Sequence, residues 1–166
     1  RLEWGMKKHK ILVANRGEIA VRIIKACKHL GLDTVLVVSE IDRESMAAQL
    51  ANDVVCIGPP QAKLSYLEIH KIIDAAKETG ADAIHPGYGF LSENPDLPEA
   101  CEKNAITFIG PRAETMRQLG DNVSARSLAR NSRVAMAEGS QALCRFEDVE
   151  TAVRQMGFAD ATSSIG

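Results

Sequence analysis

The sequence predicts an α/β fold: a three-layer domain with a mainly parallel sheet, followed by a helical tail. Three observations point there. Short apolar runs rich in β-formers alternate with stretches of helical period from Lys10 to Gly120. The first such triplet, strand–helix–strand, is a β-α-β unit, which requires a right-handed crossover and a parallel pair. After Gly120 no further strand-forming run completes a second domain, and only helical patterning continues.

The elements follow in order. Lys10 to Ala14 is a short buried strand, and Asn15-Arg16-Gly17 is a turn. From Glu18 the period changes: Ile19, Ile23, Ala26 and Leu30 fall on one helical face, with Glu18 and Arg22 as an i,i+4 pair and Gly31 as the C′ stop. Thr34 to Val38 is the second strand, Ser39 to Arg43 a polar loop, Ser45 to Ala51 a short helix, and Asp53 to Ile57 the third strand. Gly58-Pro59-Pro60 ends it. Ser65 is a candidate N-cap, with Glu68 at capping-box spacing, for a helix whose apolar face is Ile69, Ile72, Ile73 and Ala76 and which closes at Gly80. Ala81 to Ile84 is the fourth strand. A helix from Pro95 to Lys103, a strand from Ile106 to Ile109 and a helix from Ala113 to Leu119 complete the domain. Beyond it, Asp121 caps a helix through Ala129, residues 131–139 read as a linker, Phe146, Val149, Val153 and Met156 mark a last helix, and residues 159–166 fray.

Composition narrows the function classes. Hydrophobic residues make up 45% of the 166 and charged residues 25%, a globular balance. A net charge of −2 and an aromatic content of 4% offer neither a basic stripe nor stacking platforms, so no nucleic acid and no membrane are expected as partners. No apolar run approaches the roughly 18 residues of a membrane span. Cys27, Cys56, Cys101 and Cys144 show no CxxC and no metal spacing, which reads as reduced, packed thiols in a cytoplasmic protein. The turn after the first strand has one glycine instead of the GxGxxG of dinucleotide sites. Asn15, Arg16 and the helix N-terminus could meet an anion there, but a salt bridge is the better reading of Arg16.

The stretch with most chemistry is His85-Pro86-Gly87-Tyr88-Gly89-Phe90-Leu91-Ser92-Glu93-Asn94. It leaves the carboxyl end of a buried strand, where ligands sit in open parallel sheets. Asn94 as N-cap, Pro95 at the first helical position and Asp96 start the next helix. Gly87 and Gly89 allow close backbone approach, while His85 and Tyr88 can each donate and accept hydrogen bonds. The plain alternative is a tight β-to-α turn, with His85 satisfied locally and Tyr88 half-buried.

Residues 11–20, Ala83 to Asn94, and Phe108-Ile109-Gly110-Pro111 resemble the N-terminal domain of biotin carboxylases, the first module of acetyl-CoA, propionyl-CoA, pyruvate and urea carboxylases. The likeness runs from about Lys8 to Ala125 and more weakly to Phe158. It implies a Rossmann-like domain that precedes an ATP-grasp core. It also implies a ligase chemistry: MgATP (or Mn²⁺ with ATP) activates bicarbonate, and the ureido nitrogen of biotin on a carrier protein or domain is carboxylated. A carboxyltransferase completes the parent enzyme. By the same resemblance His85, Gly87, Tyr88, Gly89 and Glu93 form a wall of the active site, and Arg22, Lys25 and His29 face a possible homodimer partner. An ordinary solvated helix face is the alternative for those three.

The sequence also departs from the family pattern. Asn122 stands where the family has a lysine that meets ATP phosphates, and an amide cannot replace an ammonium there. Ser163 falls near the position of a second such lysine, and Arg133-Val134-Ala135 and Glu138-Gly139 lack two family prolines. The expected organisation is an N-terminal extension or remnant over 1–7, the biotin carboxylase N-terminal domain over 8–120, and a helical linker with the truncated start of a lid region over 121–166. The expected function is that of the N-terminal part of a biotin carboxylase, inactive alone, with no metal ligand and with cofactors in the parent enzyme but none on this chain alone. The alternative is a non-catalytic dimerisation or partner-binding module.

Overall fold

A computed structural model describes residues 9–120. Five parallel strands form one sheet: β1 (Lys10–Val13), β2 (Asp33–Ser39), β3 (Asp53–Gly58), β4 (Ala83–His85) and β5 (Thr107–Phe108). Their spatial order is β3-β2-β1-β4-β5. The chain therefore builds outward from β1 to one edge, then crosses back and adds β4 and β5 on the other side. That reversal opens a crevice between the carboxyl ends of β1 and β4. The Rossmann-like, mainly parallel α/β reading of the sequence holds.

Among the described residues there are five α-helices: α1 (Gly17–His29), α2 (Met46–Leu50), α3 (Ile69–Thr79) and α4 (Asp96–Lys103), which pack on the sheet, and α5 (Ala113–Gly120), whose Arg117 pairs with Asp96 and Glu99 of α4. Alternation along the strands assigns each side chain to a face. Leu12, Val35, Val37 and Ile84 pack with Ile72, Ile73 and Ala76 of α3 and Leu97 and Cys101 of α4. Ile11, Val13, Leu36, Val38 and Ala83 pack with Ala20, Ile23, Ile24 and Cys27 of α1 and Ala47 and Ala48 of α2. Both faces of β1 and β2 are thus dry, which explains their unbroken apolar runs. No helix among the described residues is long and apolar enough to cross a membrane.

Several local expectations shift. The buried stripe of α1 runs through Ala20, Ile23, Ile24 and Cys27 rather than through Ala26 and Leu30, and Leu30 is 71% exposed. Small Ala20 lets the helix lie close on the sheet, and Leu30 sits at the C-cap, past the last helical contact. Ser65 does not cap α3: its hydroxyl donates to the Gln61 carbonyl at 2.9 Å, and Glu68 holds the cap position. A one-turn 3-10 helix, Ala62–Leu64, takes up the chain here because Tyr66 must be buried next. Pro95 rather than Asn94 occupies the cap position of α4, yet Asn94 Oδ1 still accepts from the Asp96 N–H at 2.9 Å. Gly31 and Gly80 end α1 and α3 with positive φ, as their positions require. Cys27, Cys56 and Cys101 are free thiols. The expected helices after Gly120, Asn122, Ser163 and Cys144 lie outside the described residues.

Candidate functional site

Four loops meet at the carboxyl edge of the sheet, and Asn15 joins two of them. It follows β1 and is only 3% exposed. Its Nδ2 donates to the Pro86 carbonyl at 2.7 Å and to the Tyr88 carbonyl at 2.8 Å, while Oδ1 accepts from the Arg16 N–H at 2.9 Å. The Ala14 N–H also donates to the His85 carbonyl at 2.9 Å, carrying the β1–β4 pairing into the loop. A carboxamide suits this place because it donates two protons and accepts through its oxygen.

The 85–94 loop is tightly wound. Gly87 and Gly89 have φ of 68° and 67°, and Phe90 adopts 45°, a left-handed conformation that costs a residue with a Cβ about 1–2 kcal/mol. His85 Nδ1 accepts from the Gly87 N–H at 3.0 Å, so Nδ1 carries no proton and Nε2 does. Burial pushes the His85 imidazole pKa down, in keeping with this neutral form. His85 is therefore satisfied locally, as the plain reading expected. Tyr88 is not half-buried: it is 64% exposed, while its carbonyl is held by Asn15. Glu93 is also exposed, at the far end of the loop.

Arg16 forms the expected salt bridge. Its Nε and Nη2 meet Asp42 Oδ2 and Oδ1 at 2.9 and 2.7 Å, a bidentate pair. Asp42 lies in the segment after β2, which is not an open polar loop but a 3-10 turn, Glu40–Asp42, with Ser39 and Asp42 buried. Burial is tolerated because Asp42 Oδ2 also accepts from Ser39 Oγ at 2.9 Å and Tyr66 OH at 2.6 Å. Arg16 first, with burial opposing it and the two hydroxyls assisting, holds the Asp42 pKa at about 2. Tyr66 is 2% exposed, and its oxygen accepts from the Ser39 N–H at 3.0 Å. Burial, and then the bond to Asp42, push its phenol pKa upward, so it stays a donor. Its ring stacks on Phe90, with centroids 5.1 Å apart and planes 18° apart.

The structure thus brings His85, Gly87, Tyr88 and Gly89 together with Asn15 at the β1–β4 crevice. It sets Arg22, Lys25 and His29 apart, exposed on α1, where Arg22 lies 3.7 Å from Glu18. Sequence reasoning missed Ser39, Asp42 and Tyr66. A serine and an aspartate three apart at a strand end were the available signal, and a tyrosine within the apolar run Leu64-Ser65-Tyr66-Leu67 was the other.

A family model for the biotin carboxylase N-terminal domain matches residues 7–116. The chain belongs to this family. It is 52% identical over 152 residues to the biotin carboxylase of Pseudomonas aeruginosa, covering 90% of this chain and 34% of the relative. It is 49% identical over 144 residues to biotin carboxylase 1 of Bacillus subtilis, covering 87% and 32%. Among solved structures, the biotin carboxylase domain dimer of Hydrogenobacter thermophilus 2-oxoglutarate carboxylase, in complex with MgADP, ADP and bicarbonate, superposes with a TM-score of 0.83 at 39% identity. That match covers 90% of this chain and 33% of the other. The chain spans about a third of the length of these relatives. Within this biotin carboxylase N-terminal domain, no group of three or more His, Cys, Asp or Glu among the described residues could hold a metal ion.

Proposed function

We propose that this chain serves ATP-dependent carboxylation of biotin as the N-terminal domain of a biotin carboxylase, with the 85–94 loop as a wall of the active site. The observation that carries the reading is the Asn15 grip on the carbonyls of Pro86 and Tyr88. It fixes a glycine-rich loop over the β1–β4 crevice, on which Tyr88 is exposed. His85, Gly87, Gly89 and Glu93 belong to the same wall. The rest of the machinery, with Mg²⁺, ATP and carrier-bound biotin, belongs to the parent enzyme, and the chain alone does not catalyse. Phosphoryl transfer needs positioned cations opposite polyphosphate, and the described residues offer no metal site.

Grafting tests this. Residues 7–116 replace the matching segment of the Bacillus subtilis relative, and ATP- and bicarbonate-dependent biotin carboxylation is measured. An active graft that loses at least tenfold on Tyr88→Ala is the expected result. Folded grafts without activity, or with activity indifferent to Tyr88, would overturn the reading. The isolated chain should release no phosphate from ATP above a buffer blank, and release would refute its inactivity.

A second reading is an association module. It is favoured by the outward row of Arg22, Lys25 and His29 on α1, together with the dimeric form of the Hydrogenobacter relative. Sedimentation of the chain with and without Lys25→Glu decides it: a dimer that the substitution dissociates supports the module, and a monomer at all concentrations removes it.

A further inference from the structure

The 85–94 loop is joined to the domain by the Ala14–His85 backbone bond and by Leu91, which is buried in the core cluster that includes Tyr66, and two further contacts hold its exposed part. One is the Asn15 carboxamide, which holds backbone carbonyls at its start. The other is the face of Phe90, which lies flat on Tyr66. Phe90 is 36% exposed and in a left-handed conformation, so its own backbone preference works against the position it holds. Its partner ring, in contrast, is immobilised. Tyr66 is 2% exposed, and its hydroxyl is fixed by both Asp42 Oδ2 and the Ser39 N–H.

We propose that Tyr66 is a positioning residue for Tyr88: by stacking on Phe90 it holds the second half of the loop down, so that Tyr88 is presented in one orientation over the crevice. Tyr66 comes from the segment between β3 and α3, nineteen residues before the loop begins at His85. It is anchored in turn by Asp42, which is itself clasped by Arg16. The side chain that faces solvent is thereby tied through rings and hydrogen bonds to the loops after β1, β2 and β3. Aromatic pairs at offset-stacked distance have a defined geometry, which an aliphatic contact lacks. The role of Tyr88 in a carboxylase wall rests on the function proposed above, whereas its positioning by Tyr66 does not.

The two tyrosines of the chain, Tyr66 and Tyr88, allow a direct test. The full chain is labelled with 3-fluorotyrosine and its two ¹⁹F resonances are assigned through Tyr66→Phe. In that variant, where the ring remains, the Tyr88 resonance keeps its wild-type position. In Tyr66→Met, similar in volume but without a ring, it moves at least half of the way to its position in urea-unfolded chain and narrows. Phe90→Leu, at a partly exposed site, gives the same displacement of Tyr88 while the Tyr66 resonance stays dispersed. It keeps the test available if Tyr66→Met does not fold. A Tyr88 resonance that stays in place in the folded ring-less variants would overturn the proposal, as would equal displacement in Tyr66→Phe and Tyr66→Met. None of these readouts involves carboxylation. An inactive graft with a displaced Tyr88 resonance therefore refutes the function alone, and an active graft with an unmoved resonance refutes the positioning alone.

Discussion

Gly87 lies so close to Asn15 that a Cβ on it would stand 2.7 Å from the carboxamide nitrogen. That nitrogen is already committed to the carbonyls on either side of Gly87, at Pro86 and Tyr88. The missing side chain is thus part of the contact, and φ of 68° adds a second reason for glycine. Gly87→Ala is expected to cost about 2–3 kcal/mol in urea unfolding, from left-handed strain plus overpacking. Gly89→Ala, with a similar φ but open space around it, should cost only the strain, about 1 kcal/mol.

The Arg16–Asp42 pair makes stability depend on acid. The folded carboxyl, at about 2, lies below its ordinary value of 3.8, so ionisation favours the fold. The contribution is complete above pH 4 and is lost as pH falls from there toward 2. Because the Arg16 side chain is 50% exposed, solvent screening reduces it to about 1–2 kcal/mol. Asp42→Asn should be less stable than wild type by that amount at pH 7, and the gap should close below pH 3. A gap of constant size across urea titrations at several pH values would contradict the assignment.

His85 acts in a different window. Its folded pKa is depressed by burial, so the unfolded chain takes up a proton first as pH falls through 6.5. Stability is then full above pH 6.5 and declines below it until the folded imidazole also protonates. Protonation at Nδ1 removes the acceptor of the Gly87 N–H. Nitrogen-detected NMR should find His85 neutral at pH 7 with its proton on Nε2. Its titration should be accompanied by movement of the Gly87 amide resonance, and a protonated Nδ1 at pH 7 would exclude this geometry.

The thiols should react in order of burial. Cys101 has no exposed surface, and burial pushes its pKa up to about 11; burial also raises that of Cys27. Cys56, on the edge strand β3, is only half-buried. Peptide mapping after brief alkylation of the folded chain at pH 8 should show Cys56 modified at least tenfold more than Cys27 or Cys101. Equal labelling would mean that the α1 and α4 faces open readily.

The sequence was most readable where one physical rule dominates. Val35 to Val38 has both faces dry, so an uninterrupted apolar run marks a strand without any help from partners. Gly31 and Gly80 are equally plain, because a left-handed stop leaves few alternatives. Where several weak preferences compete, position slipped. Asn94 and Pro95 both suit a helix start, and the choice between them came from the turn that precedes α4. Asp42 was invisible for a different reason. A buried carboxylate looks like any surface acid until its donors, Arg16, Ser39 and Tyr66, are brought from three separate segments. The residues of the 85–94 loop carried the family resemblance, but what holds them in place lies elsewhere in the chain.

The strand order also has a bearing on synthesis. Chains emerge from the ribosome N-terminus first. The three strands β1, β2 and β3 are adjacent in the sheet and are all present once Gly58 has appeared. Arg16 and Asp42 can meet at that moment, before either tyrosine has been made. Tyr66 arrives next onto a carboxylate already in place, and the 85–94 segment follows it, facing an Asn15 and an aromatic ring that precede it in the chain. The turn that carries Gly87, Gly89 and Phe90 thus meets anchors made before it, while α4 and β5 are still to come.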